Sequence, residues 1–102
     1  MGILKNTATN NALTYLGFTF ERHSVTGELK NCYEKTIKLS DLYYMWVAVN
    51  IETSTVVLYI EYDCGGEVAT YNFTIDCDFN ENPDEFITKL DNEVTDYANM
   101  YK

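Results

Sequence analysis

The sequence predicts an α+β fold: an antiparallel β-meander of about five strands, packed on one face by a C-terminal α-helix. Two observations carry this prediction. Apolar residues alternate with polar or aromatic ones between residues 43 and 75, and apolar positions recur every three or four residues between 86 and 101. A chain of 102 residues is long enough for one such core. We therefore expect a single domain over 1–102, with 1–11 as a loose N-terminal segment.

The first element is ambiguous in the sequence. Residues 12–17, ALTYLG, could extend the first strand or form a short helix that ends at Gly17. The short N-terminal helix is favoured because glycine readily takes the left-handed conformation that follows a helix. Residues 18–23 and 32–39 then alternate well enough to form a hairpin across a loop that contains Thr26 and Gly27.

Two further hairpins follow in the sequence. A tip at Thr53–Ser54 would place Val49 opposite Leu58, and DCGG at 63–66 predicts a turn whose tip at Gly65–Gly66 would place Leu58 opposite Phe73. Both registers select the same apolar face of the middle strand. The residues expected on that face are Met45, Val47, Val49, Ile51, Val56, Leu58, Ile60, Tyr62, Tyr71, Phe73 and Ile75.

The C-terminal helix has a clear start signal. Asn82 suits the N-cap, Pro83 suits the first helical position, and Asp84 and Glu85 follow where the helix dipole favours negative charge. We expect a stripe to cover the sheet, formed by Phe86, Leu90, Val94, Tyr97 and Tyr101. We expect the polar residues of this helix to face solvent or a partner: Asp91, Asn92, Thr95, Asp96 and Asn99.

The other face of the sheet carries the leading functional hypothesis. The predicted pairing places Trp46 opposite Glu61, Tyr59 opposite Ala48 and Tyr44 opposite Asp63, so aromatic rings lie among carboxylates on a face that the helix does not cover. Sheet propensity, cover by the N-terminal segment or a homodimer would each explain such a face. A protein-binding module is the favoured interpretation. Its anchors would be Tyr44, Trp46 and Tyr59, with Glu61 and Asp63 selecting a basic partner surface.

Charge supplies a second hypothesis. Residues 1–51 contain five Lys and Arg and four Asp and Glu, whereas residues 52–102 contain two and twelve, so the net charge of −9 comes from the second half. The acidic second half repels phosphate groups, so we expect no direct binding to nucleic acid. It could mimic a nucleic acid and block a nucleic-acid enzyme, although ordinary solubility explains the same acidity. The candidate mimic surface consists of Asp76, Asp78, Asp84, Glu85, Asp91 and Asp96.

In size, acidity and sheet-plus-helix composition, the chain resembles the small inhibitors that phages and mobile elements use against host defences, including anti-CRISPR proteins. The resemblance implies an inhibitor of a nucleic-acid enzyme. It assigns no individual residue a role.

Catalysis is the least favoured class. A hydrolase or transferase would need Cys64 or a carboxylate pair, but Cys64 follows Asp63 and Cys77 lies between two aspartates, which disfavours the thiolate. We therefore predict a non-enzyme. Three cysteines without a C-x-x-C pair fit a reducing compartment. The sequence also has no apolar run of membrane-spanning length and no signal-type N-terminus. Together these features predict a cytoplasmic protein.

Residues 76–85, DCDFNENPDE, place oxygen-bearing side chains at alternate positions, as a calcium loop does. Glu81 stands where an EF-hand needs glycine, and Ile87 stands where it needs a bidentate glutamate. A connection between a strand and a helix is also rich in turn and capping residues, so it explains this sequence without a bound ion. No metal or cofactor is expected.

Overall fold

An antiparallel sheet with a C-terminal helix forms the described part of the chain, which confirms the α+β prediction. The computed structural model describes residues 13–23 and 29–101. Four long strands make the body of the sheet, and a shorter strand lies on one edge; the order across the sheet follows the chain. The elements are β1 (Thr19–His23), β2 (Leu29–Lys38), β3 (Tyr43–Asn50), β4 (Thr55–Tyr62), β5 (Glu67–Thr74) and α1 (Pro83–Asn99).

The segment before β1 packs into the core. Leu13–Leu16 form one turn of 3-10 helix, and Gly17 follows with φ of 93°, a conformation that favours glycine. Leu13, Leu16 and Phe18 are buried. Lys35 Nζ donates a hydrogen bond to the main-chain oxygen of Leu16, which holds this turn against β2. The predicted loose segment 1–11 and the loop containing Thr26 and Gly27 lie outside the described residues.

The core lies between the inner face of the sheet and α1. Alternate residues of β3 and β4 point to it, as the sequence predicts, because successive side chains of a strand point to opposite faces. The α1 helix covers the side of the core that faces away from the sheet. The buried apolar residues are Leu13, Leu16, Phe18, Met45, Val47, Val49, Val56, Leu58, Ile60, Ile75, Phe86, Ile87, Leu90, Val94 and Ala98.

The predicted register between β3 and β4 is wrong by two residues. Val49 lies opposite Val56, not Leu58. The reason is the Asn50 side chain, whose Oδ1 accepts hydrogen bonds from the backbone N–H groups of Glu52 (2.9 Å) and Thr53 (3.3 Å). This bond pattern starts the turn at residue 51, and Ser54 closes it with φ of 57°. A shift of two keeps every side chain on its predicted face.

The register between β4 and β5 is also two residues from the prediction over most of its length. Leu58 lies opposite Tyr71, not Phe73. The DCGG segment does form a turn, but it occupies all of 63–66, with Gly65 and Gly66 at φ of 97° and 102°. Next to the turn the offset is three residues, because Glu61 lies opposite Glu67 and not Thr70, and a β-bulge between Ile60 and Glu61 reduces it to two.

The helix begins where the sequence predicts. Asn82 is the N-cap, and its Oδ1 accepts a hydrogen bond from the Glu85 backbone N–H at 3.2 Å. Pro83 occupies the first turn. The predicted stripe packs on the core, with Phe86, Leu90 and Val94 buried and Tyr97 and Tyr101 partly buried. It is incomplete, because Ile87 and Ala98 are also buried.

Asp91 contradicts its predicted exposure. It is only 6% exposed, and its Oδ1 accepts a hydrogen bond from Thr95 Oγ1 at 3.3 Å. It lies one turn after Ile87 on the buried side of α1. Asp91 therefore belongs to the interior of the molecule rather than to an acidic surface.

Candidate functional site

The sheet face opposite α1 presents its side chains in rows that cross the strands. One row runs through Thr36, Trp46, Tyr59 and Thr70, because each of these residues opposes the next on the adjoining strand. The neighbouring row runs through Lys38, Tyr44, Glu61 and Glu67. We call Tyr44, Trp46, Tyr59, Glu61 and Glu67 the outer aromatic face.

Trp46 and Tyr59 form the centre of the outer aromatic face. Their ring centroids are 6.4 Å apart with an interplanar angle of 83°, an edge-to-face arrangement that suits the ring quadrupoles. The predicted partners of both residues were wrong, since Trp46 opposes Tyr59 rather than Glu61. Because the observed register differs from the predicted one by two residues, Trp46 on β3 and Tyr59 on β4 lie directly opposite each other.

Carboxylates border this pair on one side. Tyr44 opposes Glu61, not Asp63. Partial burial, followed by the nearby charges of Glu67 and Glu61 and a hydrogen bond to Glu67, raises the pKa of Tyr59. Glu67 Oε1 also accepts a hydrogen bond from Thr70 Oγ1 at 3.2 Å.

Asp63 is separated from the outer aromatic face. It lies in the turn after β4, exposed, and its backbone N–H donates to the Leu42 oxygen at 2.8 Å. Four of the five predicted binding residues, Tyr44, Trp46, Tyr59 and Glu61, share one face. The fifth belongs to the end of the sheet where the loop between β2 and β3 passes.

A depression of about 330 Å³ adjoins Trp46 on the side of β1. Its lining is mostly polar and includes Thr19, Glu34 and Thr36. Lys35 also borders it, with Nζ 6.0 Å from the centroid of the Phe18 ring. The depression gives the flat sheet face a recess in which one partner side chain would fit.

The candidate mimic residues do not form a single surface. Asp76, Asp78, Asp84, Glu85 and Asp96 are exposed, but Asp91 is buried. Asp78 Oδ1 accepts from the Asn80 backbone N–H at 2.9 Å, as expected for a turn between strand and helix. Lys89 Nζ lies 3.8 Å from the Glu85 carboxylate and donates to the Asp76 main-chain oxygen, so one cation lies within this acidic region.

The chemistry-bearing side chains are dispersed. Cys32, Cys64 and Cys77 form no disulfide with one another. Partial burial, together with a hydrogen bond to Glu85 and the charge of that carboxylate, raises the pKa of the Cys77 thiol, which keeps it a weak nucleophile. Among residues 13–23 and 29–101, no group of three or more His, Cys, Asp or Glu is placed to hold a metal ion. The His23 side chain lies outside the described part of the structure.

One exposed apolar patch was missed from the sequence. Leu42 and Met100 are each 64% exposed and border an open groove of about 700 Å³ between the loop after β2 and the end of α1. Leu42 follows Ser40 and Asp41 in a polar turn, and Met100 follows the helix. The only sequence signal was an apolar residue inside a turn, which periodicity does not interpret.

Comparison of the chain with protein-family models, curated proteins and solved structures gives no significant match. In the part of the chain that the structure describes, no helix is both long and apolar enough to cross a membrane.

Proposed function

We propose that this protein is a small non-catalytic binding module that contacts a partner protein through the outer aromatic face. The observation that carries the proposal is the edge-to-face pair of Trp46 and Tyr59 at the centre of the sheet face opposite α1. Tryptophan and tyrosine are the residues most often found as energetic anchors of interfaces. Neither ring belongs to the buried core cluster, so the fold does not need them there for its interior.

The geometry favours binding because the two rings restrict each other. Trp46 and Tyr59 are half-buried, and Glu67 lies close enough to the Tyr59 hydroxyl to raise its pKa. Rings that are already ordered lose little rotamer freedom when a partner covers them. Leu13, Leu16 and Phe18 do not compete for this surface, since they pack with the inner core.

The proposed partner is a protein with a basic surface. Glu61 and Glu67 border the aromatic pair, and the net charge of the chain is −9. Opposite charge on the partner would speed association and fix orientation. The proposal involves no cofactor, no direct nucleic-acid contact and no membrane, and it places the protein in the cytoplasm.

Trp46→Ala tests the proposal, with Met100→Ala as the matched control. Met100 is an exposed apolar residue on the helix side of the sheet, so its removal also deletes apolar surface but spares the outer aromatic face. Partners are captured from a lysate of the native host at low and high salt, identified, purified and titrated. We expect Trp46→Ala to weaken binding by about 30-fold or more, the effect of losing an interface anchor, and Met100→Ala to leave the Kd unchanged.

Trp46 also reports its own environment, because it is the only tryptophan in the chain. Binding at the outer aromatic face should reduce quenching of its fluorescence by acrylamide. A partner that binds wild type and Trp46→Ala with equal affinity, or leaves the quenching unchanged, contradicts the proposal. A sedimentation profile showing that a second copy of the chain covers Trp46 would replace the basic partner with a homodimer.

Nucleic-acid mimicry is the second candidate. Five exposed carboxylates support it: Asp76, Asp78, Asp84, Glu85 and Asp96. In this case the protein would be an inhibitor of a nucleic-acid enzyme, of the phage or mobile-element anti-defence kind. Binding to that enzyme should fall steeply with salt and with paired Asp84→Asn and Glu85→Gln substitutions, and it should be indifferent to Trp46→Ala.

A further inference from the structure

The β5 strand leaves one side of its backbone without a neighbour, since it ends the strand order of the sheet. The Ile75 N–H donates to the Ser54 oxygen at 2.7 Å, which fixes which residues point toward β4. Because backbone groups alternate in direction along an antiparallel strand, the N–H and C=O groups of Thr70, Asn72 and Thr74 point away from β4. In the described part of the chain, no hydrogen bond to these three amides is found.

This edge lacks the usual protection against pairing. Natural edge strands are commonly interrupted by lysine or proline or kept very short. The eight residues of β5, EVATYNFT, contain neither, and their one charge is Glu67 at the first position. The opposite edge differs, because β1 has only five residues and contains the charged sequence Glu21-Arg22.

Charge identifies what would fit beside β5. Every charged side chain between residues 61 and 88 is a carboxylate. Exposed carboxylates lie beyond both ends of the neutral stretch 68–75: Asp63 and Glu67 at one end, Asp76 and Asp78 at the other. A segment that spans this stretch in an extended conformation would therefore meet negative charge at both of its ends.

A second copy of the same strand fits poorly. In antiparallel pairing about a two-fold axis, the start of one β5 lies beside the end of the other. Glu67 of each copy would then approach Asp76 of its neighbour, and like charges opposed across strands are destabilising. The net charge of −9 on each copy adds to the repulsion.

We propose that β5 is a docking edge for an extended segment of a cationic protein, which adds to the sheet as a further antiparallel strand with lysine or arginine at both of its ends. Main-chain hydrogen bonds to Thr70, Asn72 and Thr74 supply the pairing, and the terminal cations meet the flanking carboxylates. This edge adjoins the outer aromatic face and shares Glu67 with it. The main-chain pairing at Thr70, Asn72 and Thr74 does not require that face to bind a partner.

The probe is a synthetic peptide about as long as β5, with alternating threonine and valine in the centre and paired lysines at each end. Hydrogen exchange of the full-length protein is measured by NMR with and without it. Saturating peptide is expected to slow exchange of the Thr70, Asn72 and Thr74 amides about tenfold or more, with little change at Tyr71 and Phe73, which already pair with β4. A peptide with glutamate in place of lysine should not bind.

Asn72→Pro and Asn72→Ala form the matched pair of variants. Proline removes an outward N–H without touching the β4–β5 ladder, whereas alanine removes the same side chain and keeps the amide. We expect Asn72→Pro to abolish peptide binding and Asn72→Ala to retain it. Urea unfolding checks that both variants fold; if the proline variant does not, exchange in the wild-type protein decides the question.

The proposal is overturned if the peptide fails to bind at about millimolar concentration, if it binds without protecting the three amides, or if the proline and alanine variants bind equally. Protection of those amides in the free protein, together with a dimeric mass, would assign the edge to a second copy. Acrylamide quenching of Trp46 should be the same with and without peptide. A change there would mean that the peptide occupies the outer aromatic face instead.

Discussion

At the scale of single residues, Tyr101 connects the end of the helix to the edge of the sheet. Its hydroxyl lies 2.5 Å from the Tyr71 hydroxyl, and its ring meets that of Tyr43 edge-on at 5.6 Å. The hydrogen bond with Tyr71, followed by partial burial and the proximity of Tyr71 and Tyr43, raises the pKa of Tyr101 to about 12 from an ordinary value of 10.0. The folded state therefore holds this proton more tightly than the unfolded chain.

Tyr101→Phe should reduce the fall in the free energy of unfolding that the protein shows at alkaline pH. A group whose pKa is raised by folding stabilises the protein fully below its unfolded pKa of 10.0, and this contribution disappears as the pH rises through about 12. Urea unfolding from about pH 9 to about pH 11 should show a smaller fall in the free energy of unfolding for Tyr101→Phe than for wild type. Tyr62→Phe is the control, because Tyr62 is exposed and lies outside this hydroxyl pair. Equal slopes for wild type and Tyr101→Phe would contradict the prediction.

At the scale of elements, the sequence predicts faces better than partners. Alternation assigns Val47 and Leu58 to the core and Trp46 and Tyr59 to the opposite face, and the structure agrees. Partners depend on turn length, and the Asn50 side chain lengthens the first turn through bonds that alternation does not encode. The aromatic face was therefore predictable as a set of residues, but the direct contact between Trp46 and Tyr59 was not.

For α1, too, one property was predictable from the sequence and another was not. Its start was predictable because capping uses adjacent residues, namely Asn82, Pro83 and Glu85. Its buried face was predicted too narrowly. Ile87 and Ala98 lie on either side of Asp91 along the buried side of α1, so the wider apolar pattern did contain the signal that Asp91 is buried. The carboxylate of Asp91 predicts exposure instead, because charged side chains are seldom buried.

Asn82→Ala should shorten or loosen the first turn of α1. The Asn82 carboxamide oxygen satisfies the Glu85 N–H, and replacing such a cap by alanine typically costs about 1 kcal/mol of stability. Asn80→Ala is the control, because at that position the backbone N–H, rather than the side chain, makes the turn bond to Asp78. Urea unfolding should give a lower midpoint for Asn82→Ala alone. Similar losses for the two variants would show that the cap contributes no specific stability.

At the scale of the whole molecule, acidity opposes folding. The net charge of −9 comes from residues 52–102, and much of it is exposed on α1 and the loop that precedes it. Two exposed ion pairs lie among the described residues, each with a nitrogen–oxygen distance of 3.8 Å: Lys38 with Asp41 and Lys89 with Glu85. Exposed pairs of this kind contribute little, so most of the repulsion is left to solvent and counterions.

Salt should therefore stabilise this protein, because counterions screen carboxylates that repel one another more strongly in the compact state. We expect the Tm to rise by a few degrees, roughly 3–8 °C, between about 20 mM and about 500 mM NaCl. The matched variant combines Glu93→Gln and Asp96→Asn, two exposed positions on α1, and its Tm should rise less because it carries less negative charge. Choline chloride should act as NaCl does if screening is the cause, since screening depends on ionic strength rather than on the identity of the cation. A Tm that is insensitive to salt, or that rises equally in wild type and the double variant, would mean that the carboxylates are already too far apart to destabilise the fold.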